Sequence, residues 1–331
     1  MRKRIYLYSN GELIRKDNNL CFKTKESINY LPIHQIETIN AFSHINLNKN
    51  TIILLHRNNI IINFFDYHGN YSGSYYPYIP IQGKYIEKQV LFLNQNQNRL
   101  FLAKELVTTA MVNMLSVIKY YIKKKRNLKE QQLKLENMLY AFRNSDVDSV
   151  EEIMLYEAKF KGVYYSCFSN IVFYDYFKFT KRSIRPPKDP INALMSYGYT
   201  QLYTLISNII HRSRLHISLP IIHGNVRSPE GLQYDIADIF KPIIIDRLIF
   251  RLINKKQIQA EDFDIKEDKV YLNRLGINVF INNFEELLYK TIYINEMKRK
   301  LSYRNIISRE VHKISNHIFN NQKYKGFRSK W

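Results

Sequence analysis

Over the first 85 residues, apolar positions come in short runs broken by turn formers: Ile5 to Tyr8, Asn10-Gly11, Glu12 to Arg15, Asp17-Asn18-Asn19, then Leu20 to Thr24. Alternation over so few residues predicts half-buried strands, and Asn-Gly between two such runs predicts a hairpin. Ile60 to Phe65, apolar except for Asn63, reads as a buried strand, and 48–57 before it as a short helix. The aromatic, Pro- and Gly-bearing stretch Tyr71 to Lys84 marks a boundary. A first, β-rich domain is therefore expected over 1–85 and a second domain over 86–331.

Beyond that boundary the period becomes helical, with Leu100, Leu102, Ala103, Leu106, Ala110, Met111, Met114, Val117 and Ile118 at three- and four-residue spacing. The run closes on Lys123-Lys124-Lys125-Arg126, which suits either compensation of the helix dipole or contact with a nucleic-acid backbone. Ser149-Val150-Glu151-Glu152 has the form of a capping box. Asp189-Pro190 supplies a cap and a first-turn proline for a helix through Met195, Leu202 and Ile206, and Ser228-Pro229-Glu230 does the same for one reaching Phe240. A small hairpin pairs 263–265 with 270–272, and the chain closes in a helical, basic tail. The expected class is α+β: a small N-terminal β-rich domain, then a larger, mostly α-helical one.

Charge narrows the function. Fifty Lys and Arg stand against 29 Asp and Glu in 331 residues, a net +21, which points to a polyanionic partner; the bland alternative is a basic surface kept for solubility. Hydrophobic residues at 45% exclude a disordered chain. With 10 glycines and neither GxGxxG nor GK[ST], nucleotide-driven chemistry has no motif to stand on. No continuous apolar run approaches the ~18–20 residues of a membrane span, so no membrane partner is expected. The basic start Met1-Arg2-Lys3-Arg4 is followed by too short an apolar stretch for a signal peptide. Cys21 and Cys167 stand alone, which fits a reducing, cytoplasmic compartment.

The sharpest chemical signal is His223 followed by Gln233-Tyr234-Asp235-Ile236-Ala237-Asp238. Asp235 and Asp238 share one helix face, and in so apolar a stretch their mutual repulsion demands a cation, either Lys or Arg or a divalent ion held together with the imidazole. Taken alone, a His and two Asp are more often a helix cap plus surface acids than a metal site. Glu157 adds a further acid two turns into the helix capped at Ser149, with a solvated pair to Lys161 four residues on as its bland alternative.

Three blocks together carry a resemblance. Glu157-Ala158 with Gly162, Tyr164 and Tyr165, the segment Arg185-Pro186-Pro187-Lys188-Asp189-Pro190-Ile191-Asn192-Ala193-Leu194-Met195-Ser196-Tyr197-Gly198-Tyr199, and His223 with 234–242 resemble, in order and spacing, the CRISPR-associated integrase of the adaptation complex. That family inserts new spacers into the repeat array. The resemblance implies a homodimeric, metal-dependent DNA endonuclease and integrase, with 1–85 as the dimerisation domain and a small ferredoxin-like second Cas protein as partner. It places Glu157, His223 and Asp238 as ligands of Mg2+ or Mn2+, and Asp235 as a neighbouring acid needed for activity. Two positions depart from the family pattern: Ala158 stands where Gly is usual, and Asp238 where many members have Glu. Both keep the chemistry, since Ala is small and Asp is still a hard oxygen donor, although its reach is shorter.

These residue types suit the reaction. Joining a 3′-hydroxyl to a phosphodiester exchanges one such bond for another, so no nucleotide is consumed. What it needs is charge stabilisation at phosphorus and an activated hydroxyl, which a divalent ion supplies. Tyr203 and Tyr234 are candidate DNA-end contacts by stacking, or core residues. Lys181, Arg182, Arg185 and Lys188, the cluster 123–126, and Lys298, Arg299 and Lys300 are candidate phosphate contacts, of the kind that position DNA without reading its sequence. The tail is the most basic segment, with ten Lys and Arg against one acid over 297–331. Other readings of the whole are a non-catalytic DNA-binding scaffold and a stand-alone nuclease of the same fold.

Overall fold

The computed structural model of the protein describes residues 2–224 and 229–329. The chain divides between Pro80 and Ile81 into two compact units, a few residues ahead of the boundary that the pattern placed at 85.

The first unit carries β1 (Lys3–Leu7), β2 (Gly11–Lys16), β3 (Asn19–Lys23), β4 (Ile28–Leu31), β5 (Ile36–Ala41), β6 (Ile45–Leu47), α1 (Lys49–Arg57), β7 (Ile61–Phe65) and β8 (Tyr71–Tyr75). They form two four-stranded sheets, ordered β1-β5-β7-β8 and β4-β3-β2-β6. The hairpin expected at Asn10-Gly11 does not form. β1 pairs in parallel with β5, while β2 turns through Asp17 and Asn18 into antiparallel β3, so Asn10-Gly11 links two different sheets. Gly11 is required there by crowding: a Cβ would lie 2.5 Å from the Lys23 carbonyl oxygen and 2.9 Å from the Phe22 ring. The short helix read over 48–57 is α1, capped by the Asn48 side chain, which accepts from Thr51 N–H at 3.0 Å. Leu13, Leu20, Ile39, Leu55, Ile60 and Ile62 form the core of this unit, each fully buried.

The second unit is mostly helical: α2 (Gly83–Asn94), α3 (Asn96–Lys123), α4 (Lys129–Asn144), α5 (Val150–Ser166), α6 (Phe168–Ile171), α7 (Pro190–His211), α8 (Leu232–Phe240), α9 (Arg247–Asn254), the hairpin β9 (Phe263–Lys266) with β10 (Lys269–Leu272), α10 (Arg274–Tyr289), the hairpin β11 (Thr291–Ile294) with β12 (Arg299–Ser302), and α11 (Tyr303–Asn320). α8 runs into α9 through a π-helical stretch, Lys241–Asp246. The architecture is thus a strand-rich N-terminal unit followed by a helical one, the α+β class expected.

At 28 residues, α3 is long and apolar enough by composition to cross a bilayer, although no continuous run announced it. Of its apolar window 72% is buried inside the unit, where it packs against α4, α5 and α8 as the central core helix. Ser149 caps α5 by accepting from Glu152 N–H at 3.2 Å, but the Glu152 carboxylate reaches back to Asp148 N–H, so the box is only half formed. Asp189 caps α7 through Asn192 N–H at 2.8 Å, with Pro190 in the first turn. Ser228, expected to cap the next helix, lies outside the described residues; α8 begins at Leu232 after Gly231. The tail is not simply helical. It opens with the β11–β12 hairpin, passes through α11, and ends in an extended segment over 321–329.

Candidate metal centre

Two helices and one loop build the site. α5 presents Glu157 and, one turn later, Lys161; α8 presents Asp235 and Asp238; the segment before α8 carries His223. Glu157 and Asp238 are 5% and 4% exposed, so neither charge is left to water. Among the described residues, Glu157, His223 and Asp238 each offer a ligand atom within 4.8 Å of the others.

The two aspartates of α8 have different partners. The Asp235 carboxylate accepts from the backbone N–H groups of Ile221 (2.6 Å) and Ile222 (3.1 Å) through Oδ2, and of His223 (3.0 Å) through Oδ1. Its Oδ1 also lies 2.6 Å from His223 Nδ1. Asp235 therefore ties the loop to the helix and fixes the imidazole with Nδ1–H toward the carboxylate, leaving the Nε2 lone pair as the available donor. Burial works to depress the His223 pKa, but the bond to Asp235 together with the negative charges of Asp235, Asp238 and Glu157 outweighs it and the net direction is up.

Asp238 is compensated by lysines, meeting the need for a cation read from the sequence. Lys161 Nζ lies 3.0 Å from Asp238 Oδ2 and 3.0 Å from Glu157 Oε1, while Lys241 Nζ binds Asp238 Oδ1. Burial would raise the Asp238 pKa, yet Lys161 and Lys241 together hold it far below the usual carboxylate range. Glu157 moves the other way, pushed up by burial against the pull of Lys161. Lys241 stands 5.0 and 4.9 Å from the ring centroids of Tyr199 and Tyr203. Sequence reasoning missed Lys241, three residues from Asp238, and took Lys161 only for a surface partner of Glu157; the i+3 and i+4 spacings were the available signal.

The donor set fits a hard divalent ion. Two carboxylates and one imidazole offer oxygen and nitrogen atoms within 4.8 Å of one another, the donor types that a hard divalent ion accepts.

The other candidates divide. Tyr203 and Tyr234 pack edge to face at 4.6 Å between centroids, with Tyr234 6.2 Å from His223, and both are half-buried beside the site. Arg182 is engaged with Asn192 Oδ1 at 2.7 Å and Ser196 Oγ at 3.1 Å, and Lys188 pairs with Asp268 at 3.3 Å. Lys181 and Arg185 are exposed, as are Lys298, Arg299 and Lys300 on the β11–β12 hairpin.

Residues 5–286 match the family described as CRISPR associated protein Cas1. The chain belongs to the Cas1 family. A curated relative from Thermodesulfovibrio yellowstonii, named CRISPR-associated endonuclease Cas1 2, is 35% identical over the whole of both chains. A solved Cas1 protein from Thermotoga maritima superposes with a TM-score of 0.84 at 30% identity, over 99% of this chain and all of that one. A casposase bound to an integration product gives 0.87 at 20% identity, over 99% and 93% of the two chains, a likeness of fold. The family match thus spans residues of both units and includes every residue of the candidate metal centre.

Proposed function

We propose that the protein is a metal-dependent DNA endonuclease and integrase that inserts short duplexes into a CRISPR repeat array, with Glu157, His223 and Asp238 holding Mg2+ or Mn2+. The observation that carries this reading is the convergence of those three ligand atoms within 4.8 Å, from α5 and from a loop and helix much later in the chain. The endonuclease name borne by the curated relative supports it. Bound there, the ion would polarise the phosphodiester and activate the attacking hydroxyl.

The chain's own residues do the rest. Asp235 orients His223, and Lys241 adds a fixed positive charge beside Asp238. Tyr203 and Tyr234 form an aromatic wall on which a DNA end can stack. Lys181, Arg185 and the exposed hairpin cations Lys298, Arg299 and Lys300 would grip DNA backbone, with Arg182 and Lys188 shaping the segment between. The working form is a homodimer in the cytoplasm, bound to double-stranded DNA and to a small ferredoxin-like second Cas protein. A non-catalytic scaffold has no use for two buried acids and an oriented imidazole.

Strand transfer of a labelled duplex into a supercoiled repeat-bearing plasmid tests the reading. Product should form with Mn2+, vanish with EDTA, and fall at least about a hundredfold in His223→Ala. Equal product from wild type and variant would overturn the site. Product that requires no second protein would favour the stand-alone nuclease.

A further inference from the structure

Lys161 has no part in the reading above, yet its ammonium lies against two of the three ligand side chains. Its ammonium is shared between Glu157 Oε1 and Asp238 Oδ2, at 3.0 Å from each, and so occupies lone pairs that a divalent ion would need. Lys241 differs: it takes the other Asp238 oxygen and is anchored to one side by the rings of Tyr199 and Tyr203. Among the described residues, Lys161 is ion-paired to the two carboxylates and has no ring contact like those of Lys241, on a flexible four-carbon stem with 22% of the side chain exposed. It therefore has both a reason to leave and room to move.

We propose that Lys161 is a displaceable counterion: it bridges Glu157 and Asp238 in the metal-free protein, is released when the divalent ion binds, and then contacts phosphate oxygens of the DNA. The inference rests on the metal-centre reading. Two buried carboxylates without a cation would repel, so the bridge keeps the ligands close before metal arrives. The cost is affinity, because only the fraction of molecules with Lys161 swung away can take the ion. The charge balance gives the released group its use. A divalent ion cancels Glu157 and Asp238, leaving Lys161 and Lys241 as uncompensated positive charges beside a phosphoryl group that becomes more negative as it reacts.

The test pairs a binding readout with a reaction readout. Mn2+ affinity is measured by calorimetry on metal-free protein, and single-turnover strand transfer at saturating Mn2+. Lys161→Met should bind Mn2+ roughly tenfold more tightly yet transfer strands at least about tenfold more slowly. Lys161→Gln, polar but uncharged, should shift both quantities the same way. Lys161→Arg should keep strand transfer within a few-fold of wild type. Opposed changes in affinity and rate are not what mere loss of packing produces. Unchanged or weaker Mn2+ binding in both neutral variants, or unchanged strand transfer, overturns the proposal. Wild type that binds no Mn2+ overturns the metal centre and Lys161's role together. Binding lost in Glu157→Gln but unaltered in Lys161→Met overturns only the latter.

Discussion

Asp235 and Asp238 sit one turn apart on a single helix face, and their chemistry is set by what each meets rather than by what each is. Asp235 meets three backbone N–H groups and an imidazole; Asp238 meets two ammonium groups. The first is a positioning residue, so Asp235→Asn should weaken Mn2+ binding about ten- to a hundredfold while leaving both ligand carboxylates in place, a shift readable by calorimetry. Sequence spacing was enough to put the pair on one face and to require a cation. It could not assign the partners, because the loop at His223 and the turn of α5 that carries Lys161 reach the helix only through tertiary packing. A third acid went unread. Asp246 is buried at the end of the π-helical stretch and accepts from the Tyr164 and Tyr199 hydroxyls at 2.9 and 2.8 Å. Burial pushes its pKa up to about 7. A carboxyl raised on folding holds its proton in the native state while the unfolded chain has lost it, so stability falls as pH rises from about 4 to 7 and stays lowered above. The window corresponds to about 4 kcal/mol for this group. The melting temperature of wild type should therefore drop relative to Asp246→Asn between pH 5 and 8; parallel curves would sink the assignment.

At the scale of elements, the site depends on how tightly α7, α8 and the π-helical stretch pack. Gly198 in α7 lets them approach: a Cβ there would meet Ile245 Cγ2 at 2.6 Å and the Phe280 ring at 2.7 Å. Gly198→Ala should cost about 1–3 kcal/mol by forcing helices apart, and should lower Mn2+ affinity as well, since the displaced stretch holds Lys241. A denaturant melt with unchanged midpoint would count against that packing. Helices were the legible part of this fold. α3 announced itself by period, α5 by its cap and α7 by both, because those signals are local: an apolar stripe every three or four residues, and a side chain reaching an N–H three residues on. Strand pairing was not legible in the same way. Asn10-Gly11 has the composition of a hairpin turn, yet β1 finds its partner at β5, about thirty residues later, because a parallel pairing is decided by what covers the sheet and not by the turn that follows it. The π-helical stretch was equally hidden. Pro242 suggests a break, whereas the wider turn accommodates it and carries the helix on into α9.

Across the whole molecule, the basic tail shows how a charge count and a charge's use can diverge. Ten Lys and Arg against one acid over 297–331 suggested a DNA-gripping arm. Several of those cations instead neutralise acids of the second unit: Arg328 pairs with Glu105 at 2.9 Å, and Lys313 with buried Glu310 at 2.6 Å. The extended segment 321–329 lies as a strap. Phe327 N–H and the Tyr324 hydroxyl donate to Glu310 Oε1, and Asn113 of α3 bonds the Phe327 carbonyl at 3.0 Å, Ser329 N–H at 2.9 Å and the Ile239 carbonyl of α8 at 2.9 Å. The Phe327 ring stacks on Phe240 at 6.3 Å. Deleting 321–331 would remove the buried Tyr324 and strip donors from a carboxylate that is 1% exposed, a loss of several kcal/mol by the cost of unpaired buried charge. In a unit of this size that lowers the melting temperature by about 10 °C. Because the strap backs the helix that carries Asp238, Mn2+ affinity should weaken in the same variant. The exposed cations Lys298, Arg299 and Lys300 remain in the truncated chain, so the slope of DNA affinity against salt should be nearly preserved in anisotropy titrations. The opposite pattern, an unchanged melt with a shallower salt slope, would return the tail to the role its charge first suggested.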